Sequence, residues 1–206
     1  SAPDGTLHVH TASAGSITAP ANGNDLVVEN SGNAGMSIVM PDANTGNLYF
    51  TSPTNGELAG IHASYNSGGM YLAFSTSSST ERGRFDQAGN FYVGDSTNAK
   101  ITQGITINQA ATDGEILTLK SSDIAHGMTS LTETDTYGTF KKQSATAGAV
   151  TMFGFGEGVQ AALIHGTVTT GDTTKTTSAA APVELQAALK SGTTRGALGA
   201  DNNIQT

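Results

Sequence analysis

The chain has 206 residues, which is enough for one large or two small domains. Charged residues are 13% of the sequence, against roughly 25% in typical soluble domains. The net charge is −8 and Lys141-Lys142 is the one adjacent basic pair, so the composition excludes a basic nucleic-acid-binding surface. No apolar run approaches the roughly 20 residues that span a bilayer, so membrane insertion is not expected, and the lack of cysteine excludes disulfides and thiolate metal sites.

Small residues replace bulky ones throughout the chain. There are 26 glycines, near twice the usual share of about 7%, while aromatic residues are 6% and tryptophan is absent. The hydrophobic fraction of 36% argues against disorder. We therefore expect short strands and tight glycine turns, with burial completed by neighbouring copies of the chain.

The first half of the chain alternates strand-like stretches with turn signals. Apolar residues recur with the period of two that is typical of half-buried strands, as in Leu26/Val28, Leu48/Phe50 and Tyr71/Ala73. The stretches predicted as strands are 25–30, 36–40, 46–52, a pair at 59–65 and 69–76 joined by "NSGG", and a hairpin at 82–95 around Ala88-Gly89.

The second half of the chain has short stretches of sequence similar to the first half. "DLVVENSGNAGMS" (25–37) can be aligned with "EILTLKSSDIAHGMT" (115–129), "DANTGNLYF" (42–50) with "ETDTYGTF" (133–140), and "AGIHASY" (59–65) more loosely with "AALIHGT" (161–167). This pattern predicts an internal duplication, with a linker near 95–104, although chance similarity between Gly/Ser-rich strands is an open alternative. The predicted organisation is a first β module at 1–95, a related second β module at 96–170, and a polar tail at 171–206.

The tail contains one segment with two interpretations. "PVELQAALKSG" (182–192) has Pro182 at a helix start and Gly192 beyond a helix end, which favours a short helix, but an edge strand is equally compatible.

"RGRFDQAGNFYVGDST" (82–97) resembles a motif of bacteriophage tail-fibre and tailspike proteins. In that family, Arg-x-x-hydrophobic-Asp leads through a Ser/Ala-Gly-Asn turn to a Val-Gly-Ile-Gly-Thr strand. The residues that match are Arg82, Phe85, Asp86, Ala88, Gly89, Asn90, Val93 and Gly94, whereas Phe91-Tyr92 and Asp95 depart from the pattern. The stretches "DGTLHVHTASAGSITA" and "LKSSDIAHGMTSLTETDTYGTF" also resemble phage structural proteins, and together these stretches cover about a quarter of the chain.

The resemblance implies a homotrimeric β-structured appendage of a virus particle, and we expect the protein to be non-enzymatic. We therefore expect an all-β fold of short antiparallel strands, in two similar sandwich-like or prism-like modules intertwined in a homotrimer. Threefold wrapping would also cover edge strands that a monomer leaves open. The expected location is the virion, where the chain would contact other virion proteins and a host-surface glycan, and no resident cofactor is expected.

His8 and His10 are the candidate metal ligands. In "GTLHVHT" (5–11) a strand places both imidazoles on one face, with Leu7 and Val9 on the other. One copy offers two nitrogens, which favours surface or stacked structural histidines. Three copies around an axis would offer six nitrogens, a set that suits an octahedral transition metal and that resembles the axial iron sites of phage long tail fibres.

Other reactive groups carry weaker patterns. Paired carboxylates for glycoside hydrolysis could come from Glu57, Asp86, Glu133, Asp135 and Glu157, and solvated turn acids are the alternative. "DANTGN" (42–47) alternates Asp42, Asn44 and Gly46 like a calcium loop but lacks the later acid. His62, His126 and His165 have no partner at ligand spacing, and no serine-hydrolase or phosphate-loop motif occurs, so no catalytic residue is predicted.

Aromatic rings on a polar surface can bind sugars, and this gives the glycan-contact candidates Tyr65, Tyr71, Tyr92 and Tyr137. The alternatives to a structural fibre or decoration protein are a carbohydrate-binding receptor module, a tailspike polysaccharide hydrolase and a bacterial surface filament.

Overall fold

The computed structural model describes residues 7–16, 18–66, 69–173, 181–183, 189–191 and 193–196. The all-β prediction is confirmed, because the described residues contain strands, turns and irregular chain but no helix. None of the sheets closes into a barrel. No helix long and apolar enough to cross a membrane occurs in the described ranges.

The first sheet is a two-stranded parallel ribbon. Strand β1 (Leu7–His10) pairs with β2 (Leu26–Glu29), and the register sets Leu7 beside Leu26 and His10 beside Glu29. The long connection that a parallel pair requires is supplied by residues 11–25.

The largest sheet has six strands in chain order. They are β3 (Thr45–Phe50), β4 (Ala59–Asn66), β5 (Gly69–Thr76), β6 (Thr80–Asp86), β7 (Phe91–Val93) and β8 (Ile105–Ile107). Neighbours from β3 to β7 are antiparallel, and β8 adds in parallel to β7. The predicted strands at 46–52, 59–65 and 69–76 and the predicted hairpin at 82–95 are all part of this sheet.

The two faces of the six-stranded sheet differ in chemistry. One face presents apolar side chains to solvent, whereas the other carries polar and charged side chains that hydrogen-bond to one another. Ala73 and Tyr92, which lie on the polar face, are 2% and 3% exposed. The best-covered side of the sheet is therefore the side that bears its hydrogen-bonded groups.

The second unit is built on a three-stranded antiparallel sheet. Strand β10 (Thr136–Ser144) lies between β9 (Glu115–Lys120) and β11 (Gly148–Gly154), with two irregularities in the β9–β10 register. Strands β12 (Leu189–Ser191) and β13 (Thr194–Gly196) form a separate hairpin.

The chain divides into two compact units, Ser1–Ala111 and Thr112–Thr206. The first unit extends past the expected boundary at residue 95, because Ile105–Ile107 completes the six-stranded sheet as β8. The similarity between the two halves is limited. Residues 59–65 lie in a strand while 161–167 do not, and β2 pairs in parallel with β1 whereas β9 pairs antiparallel with β10.

One local prediction needs correction. The composition of residues 36–40 predicts a strand, but they form no ladder with the described chain. Of the two interpretations of 182–192, the strand is the one found at its end, because Leu189–Ser191 is a strand; residues 184–188 and 192 lie outside the described residues.

Candidate functional site

The polar face of the six-stranded sheet brings Asn47, His62 and Ser75 together. Asn47 is the register partner of His62 on the neighbouring strand, and Ser75 lies on β5 on the other side of His62. His62 Nδ1 lies 2.7 Å from Asn47 Oδ1, and His62 Nε2 lies 2.5 Å from Ser75 Oγ. Three side chains that are far apart in sequence thus form one hydrogen-bonded row across three strands.

Glu57 joins this row from the loop before β4. Ser75 Oγ donates to Glu57 Oε1 over 2.6 Å, and Ser79 donates to Glu57 Oε2. These hydroxyl hydrogen bonds, Ser75 first, lower the pKa of Glu57 because they favour the ionised carboxylate. His62 Nε2 lies 3.8 Å from Glu57 Oε1, and its electrostatic interaction with the carboxylate also lowers the pKa of Glu57.

The Ser75–His62–Asn47 row resembles a hydrolase triad in its distances but not in its proton arrangement. A nucleophilic serine gives its proton to the histidine, whereas Ser75 donates its proton to Glu57. Asn47 donates its amide Nδ2 to Thr45 O over 3.0 Å, which directs Oδ1 at His62. The two ring nitrogens of His62 thus lie between Asn47 Oδ1 and Ser75 Oγ and connect Asn47 to Ser75. Ser75 is 3% exposed, so the network ties strands together rather than presenting a nucleophile.

A shallow cavity of about 280 Å³ opens beside this network. Its lining includes Tyr49, Tyr71 and Glu81. The guanidinium carbon of Arg84 lies 4.2 Å from the centre of the Tyr71 ring, and Arg84 donates to both carboxylate oxygens of Glu81 at 2.5 Å. One face of Tyr71 is therefore covered by a cation that Glu81 holds in place.

The four tyrosines predicted to contact glycans lie in different environments. Tyr65 is 52% exposed on the apolar face of the six-stranded sheet, and Tyr137 is exposed on β10 in the other unit. Tyr92 is buried, so its ring offers no surface to a sugar in this chain. Within the first unit, the polar cavity gathers Tyr71 but neither Tyr65 nor Tyr92.

The turn with the tail-fibre-like sequence is organised by Asp86. Its Oδ1 accepts from the backbone amides of Ala88 and Asn90, each at 2.9 Å, and its Oδ2 accepts from Asn90 Nδ2 and the Tyr92 hydroxyl, each at 3.0 Å. Led by the Asn90 side chain, these donors lower the pKa of Asp86, while burial raises the pKa of Tyr92. Asn90 is 4% exposed, and its Oδ1 accepts from Gly104 N at 3.1 Å, which links the turn to the segment entering β8. Asp86 thus has a structural role.

His8 and His10 share one face of the β1–β2 ribbon, as the sequence predicts, with ring centres 5.3 Å apart. Both face Glu29, whose Oε2 lies 2.9 Å from His8 Nε2 and 3.6 Å from His10 Nε2. The pKa of Glu29 is lowered, chiefly because the Ala14 backbone amide donates a hydrogen bond to its carboxylate and to a smaller extent because of the two histidines. Leu7 and Val9, on the opposite face, are 59% and 49% exposed. The histidines therefore pair with a carboxylate, and the apolar face of this ribbon is left uncovered.

The described residues contain no group of three or more His, Asp or Glu side chains arranged to hold a metal ion. The calcium-like segment 42–47 forms a turn and enters β3, with Asn44 Nδ2 donating to the backbone oxygen of Asp42. A metal shared by copies of His8 and His10 remains a prediction.

In the second unit, a cavity of about 960 Å³ is rich in hydroxyl groups. Lys120 pairs there with Glu133 and, at 3.1 Å, with Asp135, and these carboxylates raise the pKa of Lys120. Thr136 lines the same cavity, is 0% exposed, and its hydroxyl has no hydrogen-bond partner in the described chain. Glu133 and Asp135 are thus engaged with a lysine, while Glu157 accepts from the Ala125 amide.

The two remaining histidines are structural or exposed. His126 stacks on Phe155 with ring centres 5.3 Å apart, and its Nδ1 accepts from the Met128 amide at 2.9 Å. His165 lies on irregular, exposed chain.

Comparison with known proteins gives no relative: no family model, no curated protein and no solved structure matches the chain. The function must therefore be inferred from the chain's own residues and geometry.

Proposed function

We propose that this chain is a structural fibre or decoration protein of a virus particle, namely a tailed phage, and that it functions as a homotrimer. The observation that carries the proposal is how little apolar bulk one copy buries. The fully buried hydrophobic residues of the described chain are Ala73, Tyr92 and Phe155, whereas large apolar side chains on every main sheet stay exposed. A chain that leaves its apolar faces to water requires partners to cover them.

The sequence supports a virion appendage as the setting. The turn that resembles tail-fibre proteins is, in this chain, a fully hydrogen-bonded hairpin in which Asp86 and Asn90 fix the path from β6 to β7. The function proposed is mechanical. Paired strands from several copies would resist shear and proteolysis while they project a polar surface towards host or virion proteins.

Immunoelectron microscopy of purified particles tests the location. Antibodies against this chain should label tails or capsids of the virus that encodes it. Mass spectrometry of the purified particles should give a copy number that is a multiple of three per site. Recovery of the chain from lysates with no label and no peptide on particles would contradict the proposal.

A carbohydrate-binding module is the second candidate, and the hydroxyl-rich cavity of the second unit favours it. Sugars offer many hydroxyl donors and acceptors, and the exposed side chains of Thr129, Ser130 and Glu133, together with Asp135, present matching groups around a space of about 960 Å³. Binding on a glycan array that Asp135→Asn weakens at least about tenfold, while the exposed turn variant Asp42→Asn leaves it unchanged, would support this candidate. No binding to any glycan of the host surface would contradict it.

A further inference from the structure

One face of the six-stranded sheet is largely apolar. Register partners across a sheet point to the same side, so the strand pairing divides the side chains into two faces. The exposed apolar face carries Leu48, Phe50, Tyr65, Met70, Leu72, Phe74, Phe85, Ile105 and Ile107, which are 39% to 66% exposed. Ile61, Ala63, Phe91 and Val93 lie between them on the same face.

Three charged strand residues are on the opposite face, since Glu81, Arg84 and Asp86 pair across the sheet with Ser75, Ala73 and Tyr71. Arg82 is the exception. It lies at the register irregularity near the start of β6, and its Nε donates to Thr76, which is on the apolar face at one end of the sheet. Ile38 and Met40 cover Gly46 at one edge, and the rest of the apolar face stays open.

The β1–β2 ribbon repeats this arrangement: Leu7, Val9, Leu26 and Val28 share the exposed face, opposite His8, His10 and Glu29. The three-stranded sheet repeats it only in part. There Leu117, Leu119, Val150 and Met152 share an exposed face, but Lys142, the register partner of Val150, lies on it too, and Phe153 is exposed on the other face. An arrangement that recurs in independent sheets is a property of the chain and not of one loop.

We propose that the apolar face of the six-stranded sheet is the surface by which copies of this chain dock on one another, sheet face towards sheet face around a common axis. The inference rests on the proposed homotrimer and deepens it, because it names the surface that the copies share. The occupant is another copy of this chain.

The size of the face fits that occupant. Nine large side chains, each with about half of roughly 200 Å² in water, expose roughly 800 to 900 Å², close to the area of about 800 Å² per partner in a specific interface. A flat and nearly uncharged sheet face offers few groups that could select a foreign charged partner. It matches an identical face well, since packed sheets bury alternate side chains over a core about 10 Å thick.

If copies dock by the apolar face, the polar face of the six-stranded sheet lies on the outside of the assembly. The Asn47–His62–Ser75 row, Glu57 and the cavity with Tyr49 and Tyr71 would then face solvent or other proteins. If the β1–β2 ribbon docks by its Leu7 and Val9 face in the same way, His8 and His10 point away from the axis and cannot ligate a metal on it.

Single-cysteine variants test the docking surface cleanly, because the chain has no cysteine of its own. Leu72→Cys places a thiol at the centre of the apolar face, and Ile107→Cys places one at its β8 edge. Thr45→Cys is the matched control, since Thr45 is exposed on the polar face of the same sheet. Reaction of the native protein with a maleimide is followed by mass spectrometry, and the mass of each assembly is measured in parallel.

We expect a trimer in which the thiols of Leu72→Cys and Ile107→Cys react at least about 100-fold more slowly than in denaturant, while the thiol of Thr45→Cys reacts at nearly the denatured rate. A trimer with reactive thiols at positions 72 and 107 would overturn the docking surface and leave the homotrimer standing. A monomer with all three thiols reactive would overturn both. If one apolar-face variant does not assemble, the other decides.

Discussion

At the scale of single residues, Asp86 is the side chain whose role is best defined. Its two oxygens accept four hydrogen bonds, two from backbone amides and one each from the side chains of Asn90 and Tyr92. A carboxylate with this many donors is stabilised in its ionised form and fixes the turn at the same time. The Asp and Asn of the tail-fibre-like motif are thus explained by the folding of the hairpin, without recourse to catalysis.

The variant Asp86→Asn should lower the free energy of unfolding by about 2 kcal/mol, because an amide replaces one carboxylate oxygen by a donor that faces other donors. Denaturant unfolding at fixed protein concentration measures this. The exposed turn variant Asp42→Asn is the control and should change stability by less than about 0.5 kcal/mol. Equal effects of the two substitutions would contradict the assigned role.

The same network predicts a dependence on acid. The folded-state pKa of Asp86 is lowered, so its contribution to stability is present above the unfolded value of about 3.9 and is lost as the pH falls through the lower folded value. Wild-type protein should therefore lose stability relative to Asp86→Asn as the pH falls below about 4. Unfolding midpoints measured over that pH range should converge, and a constant difference between the two proteins would count against the prediction.

At the scale of strands and turns, Gly94 allows the backbone after β8 to approach the end of β7 closely. Its φ is +70°, and a Cβ built there would collide with the backbone oxygen of Asn108. Asn108 N donates to Val93 O at 2.8 Å, so the same contact carries the parallel pairing. The neighbouring glycine Gly89 also has a positive φ, of +84°, but a Cβ there would meet nothing closer than 3.7 Å.

This contrast gives a matched pair of substitutions. Gly89→Ala should cost about 1 kcal/mol, since an alanine strains the left-handed conformation without a collision. Gly94→Ala should cost at least twice as much, because the collision with a backbone atom forces β8 away. Thermal unfolding compares the two, with hydrogen exchange at Ile105–Ile107 as the local readout. Similar losses and unchanged exchange at β8 would show that the close contact at Gly94 is not formed.

The sequence predicts several of these elements well, and its limits have physical causes. Period-two alternation predicts the strands around Leu26, Leu48 and Tyr71, and Ala88-Gly89 marks the hairpin. Alternation does not predict the hairpin of β10 and β11, because its Lys141-Lys142 and Thr-rich stretches lack a clear pattern. Residues 36–40 have the composition of a strand but no neighbour to pair with in the described chain, which composition does not reveal.

The candidate site is harder to foresee than the fold. Spacing along the chain predicts no partner for His62, yet Asn47 and Ser75 meet it because two strand registers align them, and register across strands is not encoded in that spacing. Alternation also identifies Tyr71 and Ala73 as one apolar face, without showing that this face is the hydrogen-bonded side and that Leu72 and Phe74 belong to the open one. No local signal distinguishes a covered face from one that awaits a partner.

At the scale of the whole molecule, one relation between chemistry and exposure recurs. In the six-stranded sheet and the β1–β2 ribbon, polar and charged side chains of one face hydrogen-bond or pair with one another, while large apolar side chains on the other face are exposed to water. Burying one such side chain fully contributes roughly 1.5 to 3 kcal/mol to the free energy of folding. Burying all of the exposed apolar side chains would therefore contribute as much as the whole free energy of unfolding of a small domain. Association of copies is the direct way to recover it, and it makes stability dependent on concentration.

Sedimentation velocity at micromolar concentration tests this relation most directly. We expect a single species near three times 20.8 kDa, with no monomer until the protein is diluted far enough that the trimer dissociates and its chains unfold. A species of 20.8 kDa that stays folded and resists heat on dilution would contradict it.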